Sequence, residues 1–138
     1  MTFLAVYQAI SKKFDDEVGS VLSNFAVAHD NAPFTPPAAS GSRWCRFSVL
    51  PGESEVRELG ATKARTTGIA LASIFVQVEL GDKLALDAAD SVVTAFKEKS
   101  YTHSGTLVFF QTPSVTTVGR EGAWFQINVS IPWYSDIS

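Results

Sequence analysis

Residues 123–134 read AWFQINVSIPWY, and this stretch decides the fold. Phe125, Ile127, Val129 and Ile131 alternate with Trp124, Gln126, Asn128 and Ser130, the period-two signature of a strand that turns one face to a core. The same alternation precedes it over residues 43–50, where Cys45, Phe47 and Val49 point one way and Trp44, Arg46 and Ser48 the other. Residues 67–80 carry it again: Ile74, Val76 and Val78 oppose Ser73, Phe75, Gln77 and Glu79. Its apolar start, IALA, implies a bulge or burial on both faces. Residues 106–118 predict one more strand, joined to the last by the turn GREG at 119–122.

Helical spacing flanks this frame. Phe3, Tyr7, Ile10, Phe14 and Val18 recur at steps of three or four, which predicts a helix over residues 3–18 with Lys12, Lys13, Asp15 and Asp16 facing away. Thr2 suits its cap and Gly19 its stop. Asp82 caps a second helix whose inner face is Leu86, Ala89, Val93 and Phe96, ending near Lys99. Lys97 and Lys99 there suit the helix dipole. Between the first helix and the sheet, a short strand is expected over residues 24–29, then NAPFTPP at 31–37, whose prolines force an extended crossing. The expectation is an α+β domain over residues 1–138: a mainly antiparallel sheet of four to five strands with two helices on one face. The other face would carry Trp44, Trp124 and Trp133, an exposed apolar patch of the kind that marks contact sites.

Composition bounds the function. The net charge is −3 and the basic residues are scattered, so no electrostatic footprint for nucleic acid is present. Cys45 is the single cysteine, which excludes a disulfide framework or a thiolate zinc site and reads as a small buried hydrophobe. The first residues lack the pattern of a signal peptide. The apolar stretch 68–80, broken by Ser73 and Gln77, is shorter than the roughly 20 residues that cross a bilayer, so a soluble protein is expected.

Catalytic chemistry finds little support. His29, His103, Asp30, Asp87 and Asp90 sit in no nucleophile–base motif, and Asp87 and Asp90 have no third oxygen ligand at metal spacing. No phosphate loop exists, and the glycines at 105, 119 and 122 read as turn residues. Asn128-Val129-Ser130 is a chance sequon in mid-strand. No cofactor is implied. The connection over residues 51–66, PGESEVRELGATKART, stands out by its length, since structureless connections above roughly 12–15 residues are uncommon in compact domains. Its mixed charges, Glu53, Glu55, Arg57, Glu58, Lys63 and Arg65, fit either a solvated loop or an arm that sets register against a partner through salt bridges.

The order of a helix, NAPFTPP, RWCRFSVLPGES, LG followed by RTTGI, a helix after GD containing AAD, and VGREGAWFQINVSIPWYSD resembles the tail terminator-like proteins of long-tailed bacteriophages. The resemblance runs from the first helix to Tyr134 and lies in the order and spacing of short pieces. It implies an α+β subunit without enzyme activity that forms a hexameric ring on the last ring of tail-tube protein. That ring stops tube growth and offers a surface to the head–tail connector or stopper protein. It also implies a place at the head-proximal end of the virion tail after assembly in the host cytoplasm, with no membrane partner and DNA confined to the ring lumen. The family carries no fixed catalytic motif, so candidate interface residues follow from their chemistry: the arm's charges, Arg120 and Glu121 in the GREG turn, and Trp124 and Trp133 as apolar anchors. The alternatives are a head–tail connector, a tube-like minor tail protein, a small ligand-binding α+β domain, or an adaptor that pairs sheet edges with peptides.

Overall fold

The computed structural model describes residues 3–18, 25–29, 43–56, 64–77 and 82–137. Helix α1 (Phe3–Lys13) continues into a π-helical turn (Phe14–Val18), so the helical extent matches the expected 3–18. Strands β1 (Ala26–His29), β2 (Arg43–Val56) and β3 (Ala64–Gln77) follow, then helix α2 (Asp82–Phe96) and strands β4 (Ser100–His103), β5 (Thr106–Phe110), β6 (Ser114–Glu121) and β7 (Trp124–Ile137). All seven strands form one sheet in the order β1-β2-β3-β7-β5-β4, with β6 also paired to β7. Only β1 runs parallel to its neighbour. The fold is α+β with a mostly antiparallel sheet.

The sheet exceeds the expected four to five strands for two local reasons. The short strand β4 hairpins onto β5 through Ser104 and Gly105, both at positive φ. The expected strand over 106–118 is broken at 111–113, where Pro113 lacks a donor and the Gln111 amide donates to the Pro132 carbonyl at 2.9 Å. β5 and β6 therefore share one edge of β7, β6 beside residues 124–130 and β5 beside Trp133 and Tyr134.

Strand alternation places the core on one face. Cross-strand rows Cys45–Ile74–Ile127, Phe47–Ala72–Val129 and Val49–Ala70–Ile131 are buried together. Both helices cover them, α1 through Val6, Ala9 and Ile10, and α2 through Ala85, Ala88, Ala89, Val92 and Phe96, with Phe14 from the π-helical turn. Alanines on β3 and α2 let the layers approach closely, while rings fill the rest: Phe14 stacks on Phe47 at 4.1 Å and Phe96 meets Phe110 edge-on at 4.9 Å.

Two residues depart from the expected helix faces. Leu86 is exposed, because the inner stripe of α2 runs through Ala85, Ala89, Val92 and Phe96 instead. Lys13, expected outside, is 1% exposed. Its ammonium lies 5.3 Å from the Phe96 ring centroid, 5.6 Å from Tyr101 and 5.8 Å from Phe110, an aromatic cage that compensates part of its lost hydration.

The connection over 51–66 is also corrected. β2 passes a bulge between Pro51 and Ser54 and goes on pairing with β3 at Ser54↔Thr66, Glu55↔Arg65 and Val56↔Ala64. β7 lies along the other side at Thr66↔Ser135, Arg65↔Asp136 and Ala64↔Ile137. At 51–56 and 64–66, what reads as a loop is thus the end of a three-stranded ribbon. Residues 57–63, with Arg57, Glu58 and Lys63, lie outside the described residues, as do Thr2, Gly19 and NAPFTPP.

Candidate assembly surface

Parity along β7 decides what the tryptophans do. Trp133 shares its side with Ile127, Val129 and Ile131 and is 1% exposed, at the end of the core where the ribbon begins. Its ring lies over Gly68, where an added Cβ would come within 2.4 Å of both the Trp133 ring and the Leu50 carbonyl oxygen. Gly68 is therefore required by close approach, and Trp133 is a core residue of the subunit, not an outward anchor.

Trp44 and Trp124 stand on the face opposite the core rows that the described helices cover. Trp44 stacks on Phe75 at 4.0 Å, nearly coplanar at 7°, and meets Trp124 edge-on at 6.3 Å. The Arg46 guanidinium lies 5.5 Å from the Trp44 ring. Trp44 is consequently only 6% exposed, and Trp124, half-buried, is the tryptophan that this cluster presents outward. The open three-tryptophan patch expected from sequence is reduced to an aromatic cluster in which Trp44 is buried and Trp124 and Phe75 are half-buried.

Further along this face the chemistry turns polar, then apolar. Arg46, Ser73 and Asn128 form one cross-strand row, and Leu50, Ile69 and Pro132 form another in which Leu50 and Ile69 are exposed. Beyond it Arg65 grips Asp136: Nε donates to Oδ1 at 2.8 Å and Nη2 to Oδ2 at 3.2 Å, a bidentate fork. The same guanidinium lies 4.3 Å from the Tyr134 ring centroid. Arg65, a candidate for pairing with a neighbour, is thus engaged within the subunit, where it locks β3 to β7. A groove of about 500 Å³ opens beside this clamp between Gly52, Thr67, Ile69, Pro132 and Tyr134.

β6 and its turn complete the surface. The turn is Gly122-Ala123, with Gly122 at φ 61°, while Gly119 at φ 105° makes the bulge between Thr117 and Gly119 inside β6. Arg120 is exposed beside that turn, and Glu121 is the last residue of β6.

The titratable groups offer no catalytic arrangement among the described residues. Cys45 lies in the core, and burial pushes its thiol up to about 12, which keeps it unreactive. Asp87 bonds to Lys83 at 3.1 Å on an exposed helix face. The described residues contain no group of three or more His, Cys, Asp or Glu placed to hold a metal ion. No described helix is long and apolar enough to cross a membrane.

The model of the phage tail terminator protein family matches residues 5–133. The chain belongs to that family. Among solved structures, one protein of similar length superposes with a TM-score of 0.79 at 20% identity, covering 100% of this chain and 98% of that one. A chain of the virion of a native gene transfer agent particle superposes with a TM-score of 0.56 at 20% identity, covering 97% and 93%. At these identities both comparisons speak to the fold. No curated protein matches the chain. Membership of the phage tail terminator family makes the protein a structural component of a phage tail. Sequence reasoning missed Asp136, the partner of Arg65, and the exposed strand β6. The run VTTV at 115–118, rich in β-branched residues and free of charge, was the available signal for that strand.

Proposed function

We propose that this protein forms a homomeric ring, a hexamer, that sits on the end of the tail tube, stops its polymerisation and presents the head-proximal joining surface. The family match over residues 5–133 carries this reading. It is supported by a core in which both described helices pack against the same rows of the sheet and by the ribbon made of the ends of β2, β3 and β7. A chain of similar fold within a gene transfer agent virion is consistent with a part of a particle. The partners are other copies of this chain, the tail tube protein, and a head–tail connector or stopper protein. The work is assembly and not catalysis, no cofactor takes part, and DNA meets the protein only in the lumen. Assembly takes place in the host cytoplasm.

A ring needs heterologous contacts, one patch of a subunit against a different patch of the next. Trp124, Arg120 and Glu121 at one end of β7, Glu53 and Glu55 on β2, and Arg57, Glu58 and Lys63 in the sequence that follows are the residues assigned to such contacts. The test is mass by light scattering, for the protein alone and mixed with the tube protein of the same phage, followed by electron microscopy. Particles near six times the 14.9 kDa subunit mass, or tubes of arrested length with added density at one end, are expected. A monomer that leaves the tube protein polymerising without limit would remove the reading.

A further inference from the structure

On the side of the sheet that β4 closes, the cover stops short. β4 pairs with β5 only, and its column ends where the Phe110 amide donates to the Lys99 carbonyl at 2.7 Å. Beyond that point β6 pairs with β7 alone among the described residues. Ser114, Val115, Thr116, Thr117, Val118 and Arg120 are all exposed, Val115 at 42% and Val118 at 53%. Val115 and Thr117 share the side of Val129 and Ile127, so they carry two buried core rows out into solvent. Sheet edges are usually blunted by lysine, proline or a covering element, because unpaired amides and carbonyls template pairing with another strand. Residues 114–119, SVTTVG, have no charge and no proline.

An antiparallel edge is complementary to itself. A two-fold axis normal to the sheet sets a strand beside its own copy with the same face up, so a charge near the axis meets a like charge. The stretch 114–119 is free of that conflict. Its regular part lies between Pro113, which has no amide to donate, and the bulge at Thr117/Gly119, with Thr116 in the middle. With Thr116 on the axis, Val115 faces Thr117 of the second copy and Ser114 faces its Val118. The row Val129–Val115 of one copy then runs into Thr117–Ile127 of the other, on the helix side of both sheets. Followed past the bulge, the same register brings Arg120 of the second copy alongside Thr112. There the Thr112 hydroxyl donates to the Glu98 carboxylate at 3.3 Å, and a cavity of about 600 Å³ opens between Glu98, Lys99, Ser100, Gln111 and Thr112. Glu98 and Arg120 are both exposed. Each copy thus offers a cation to an acidic group of the other.

We propose that two copies of the free protein pair through β6, strand against antiparallel strand across a two-fold axis at Thr116, with Arg120 of each copy on Glu98 of the other. Such a contact closes at two copies, so it belongs to the free protein and stands apart from the ring that forms on a tube end. It covers an edge that carries few protections of its own.

Light scattering on the full chain without tube protein tests it, joined to amide hydrogen exchange at the same concentrations. Between about 1 and 200 μM the mass is expected to rise from one subunit of 14.9 kDa to two, while alternate amides of residues 114–118 slow by roughly tenfold or more and the turn at 104–105 keeps its rate. Thr116→Lys sets two ammonium groups on the axis and is expected to weaken the pair at least about tenfold, with circular dichroism unchanged. Glu98→Arg and Arg120→Glu are each expected to weaken it roughly fivefold, and the double variant to recover it. A monomer at the upper concentration, a six-fold mass, or a pair whose 114–118 amides keep their dilute rate would overturn the two-fold contact, as would a double variant that binds no tighter than either single one. None of these outcomes touches the ring, which is read on tube ends; dimers without rings there would leave the pair standing and remove the ring.

Discussion

On the helix side of the sheet, Cys45, Phe47, Val49, Ala70, Ala72, Ile74, Ile127, Val129 and Ile131 close into one apolar layer under α1 and α2. On the other side the same strands present Trp44, Arg46, Ser48, Ile69, Ser73, Phe75, Gln126 and Asn128, a mixture of rings, cations, amides and hydroxyls without a covering layer of helix. The first face is uniform, since any apolar side chain of the right volume serves a core. The second is heterogeneous, as surfaces that recognise a partner are. The difference teaches that burial and not residue type separates the jobs here: two tryptophans ten residues or fewer apart on β7, Trp124 and Trp133, fall on opposite sides because nine is an odd number of strand steps.

The sharpest way to break this division is to truncate each of those tryptophans. Trp133→Ala removes a fully buried ring over Gly68 and is expected to cost about 3–5 kcal/mol of folding stability, read by urea unfolding of the free subunit. A loss below about 1 kcal/mol would show that the ring is not part of the core. Trp124→Ala should behave in the opposite way. Its edge contact with Trp44 is worth about 0.5–1.5 kcal/mol to the fold, so the subunit stays folded. As an interface anchor it would cost about 2 kcal/mol or more per contact, enough to abolish rings on the tube end. Intact rings from the Trp124→Ala protein would take Trp124 out of the interface.

How far the sequence reveals these two faces depends on how local the cause is. Period-two alternation shows the core rows of β2, β3 and β7, and continuing the parity from Ile131 by two residues would have turned Trp133 inward. The ribbon is illegible because Pro51, Gly52, Glu53 and Glu55 have low strand propensity, and only pairing to β3, itself held by β7, extends β2 to Val56. Lys13 was misplaced because helical spacing gives a direction and not what lies there; its aromatic cage comes from α2 and two other strands. The Arg65–Asp136 clamp joins residues 71 apart, a distance at which no local pattern speaks.

That clamp sharpens the comparison at a smaller scale. Arg65 and Asp136 are partly exposed, so their fork stabilises the free subunit by less than about 1 kcal/mol despite its geometry. Asp136→Asn is therefore expected to lower stability slightly, with the loss shrinking in high salt as screening grows. Urea unfolding at two ionic strengths checks this. A loss above about 2 kcal/mol, insensitive to salt, would mean that the ribbon is an integral part of the core and not an appendage to it.

The smallest effect belongs to the helix side. The Lys12 ammonium donates to Asp16 at 2.9 Å and holds its carboxyl below the ordinary value of 3.8, assisted by the Tyr101 hydroxyl at 3.3 Å and by the charge of His103. The same bond raises Lys12 above 10.5. A carboxyl whose folded value is depressed contributes its stability above 3.8 and loses it as pH falls through the folded value; a raised lysine contributes below 10.5 and loses it as pH climbs past its folded value. The pair's contribution is therefore present and constant across neutral pH and is lost only at the acid and alkaline limbs. Both side chains are about half-exposed, so the acid limb should be shallow, and Asp16→Asn should flatten it further while lowering stability at neutral pH only slightly. An Asp16→Asn protein that loses stability at neutral pH as readily as Trp133→Ala would mean that the π-helical turn depends on this carboxylate, and that the helix-covered face is held from its rim as much as from its centre.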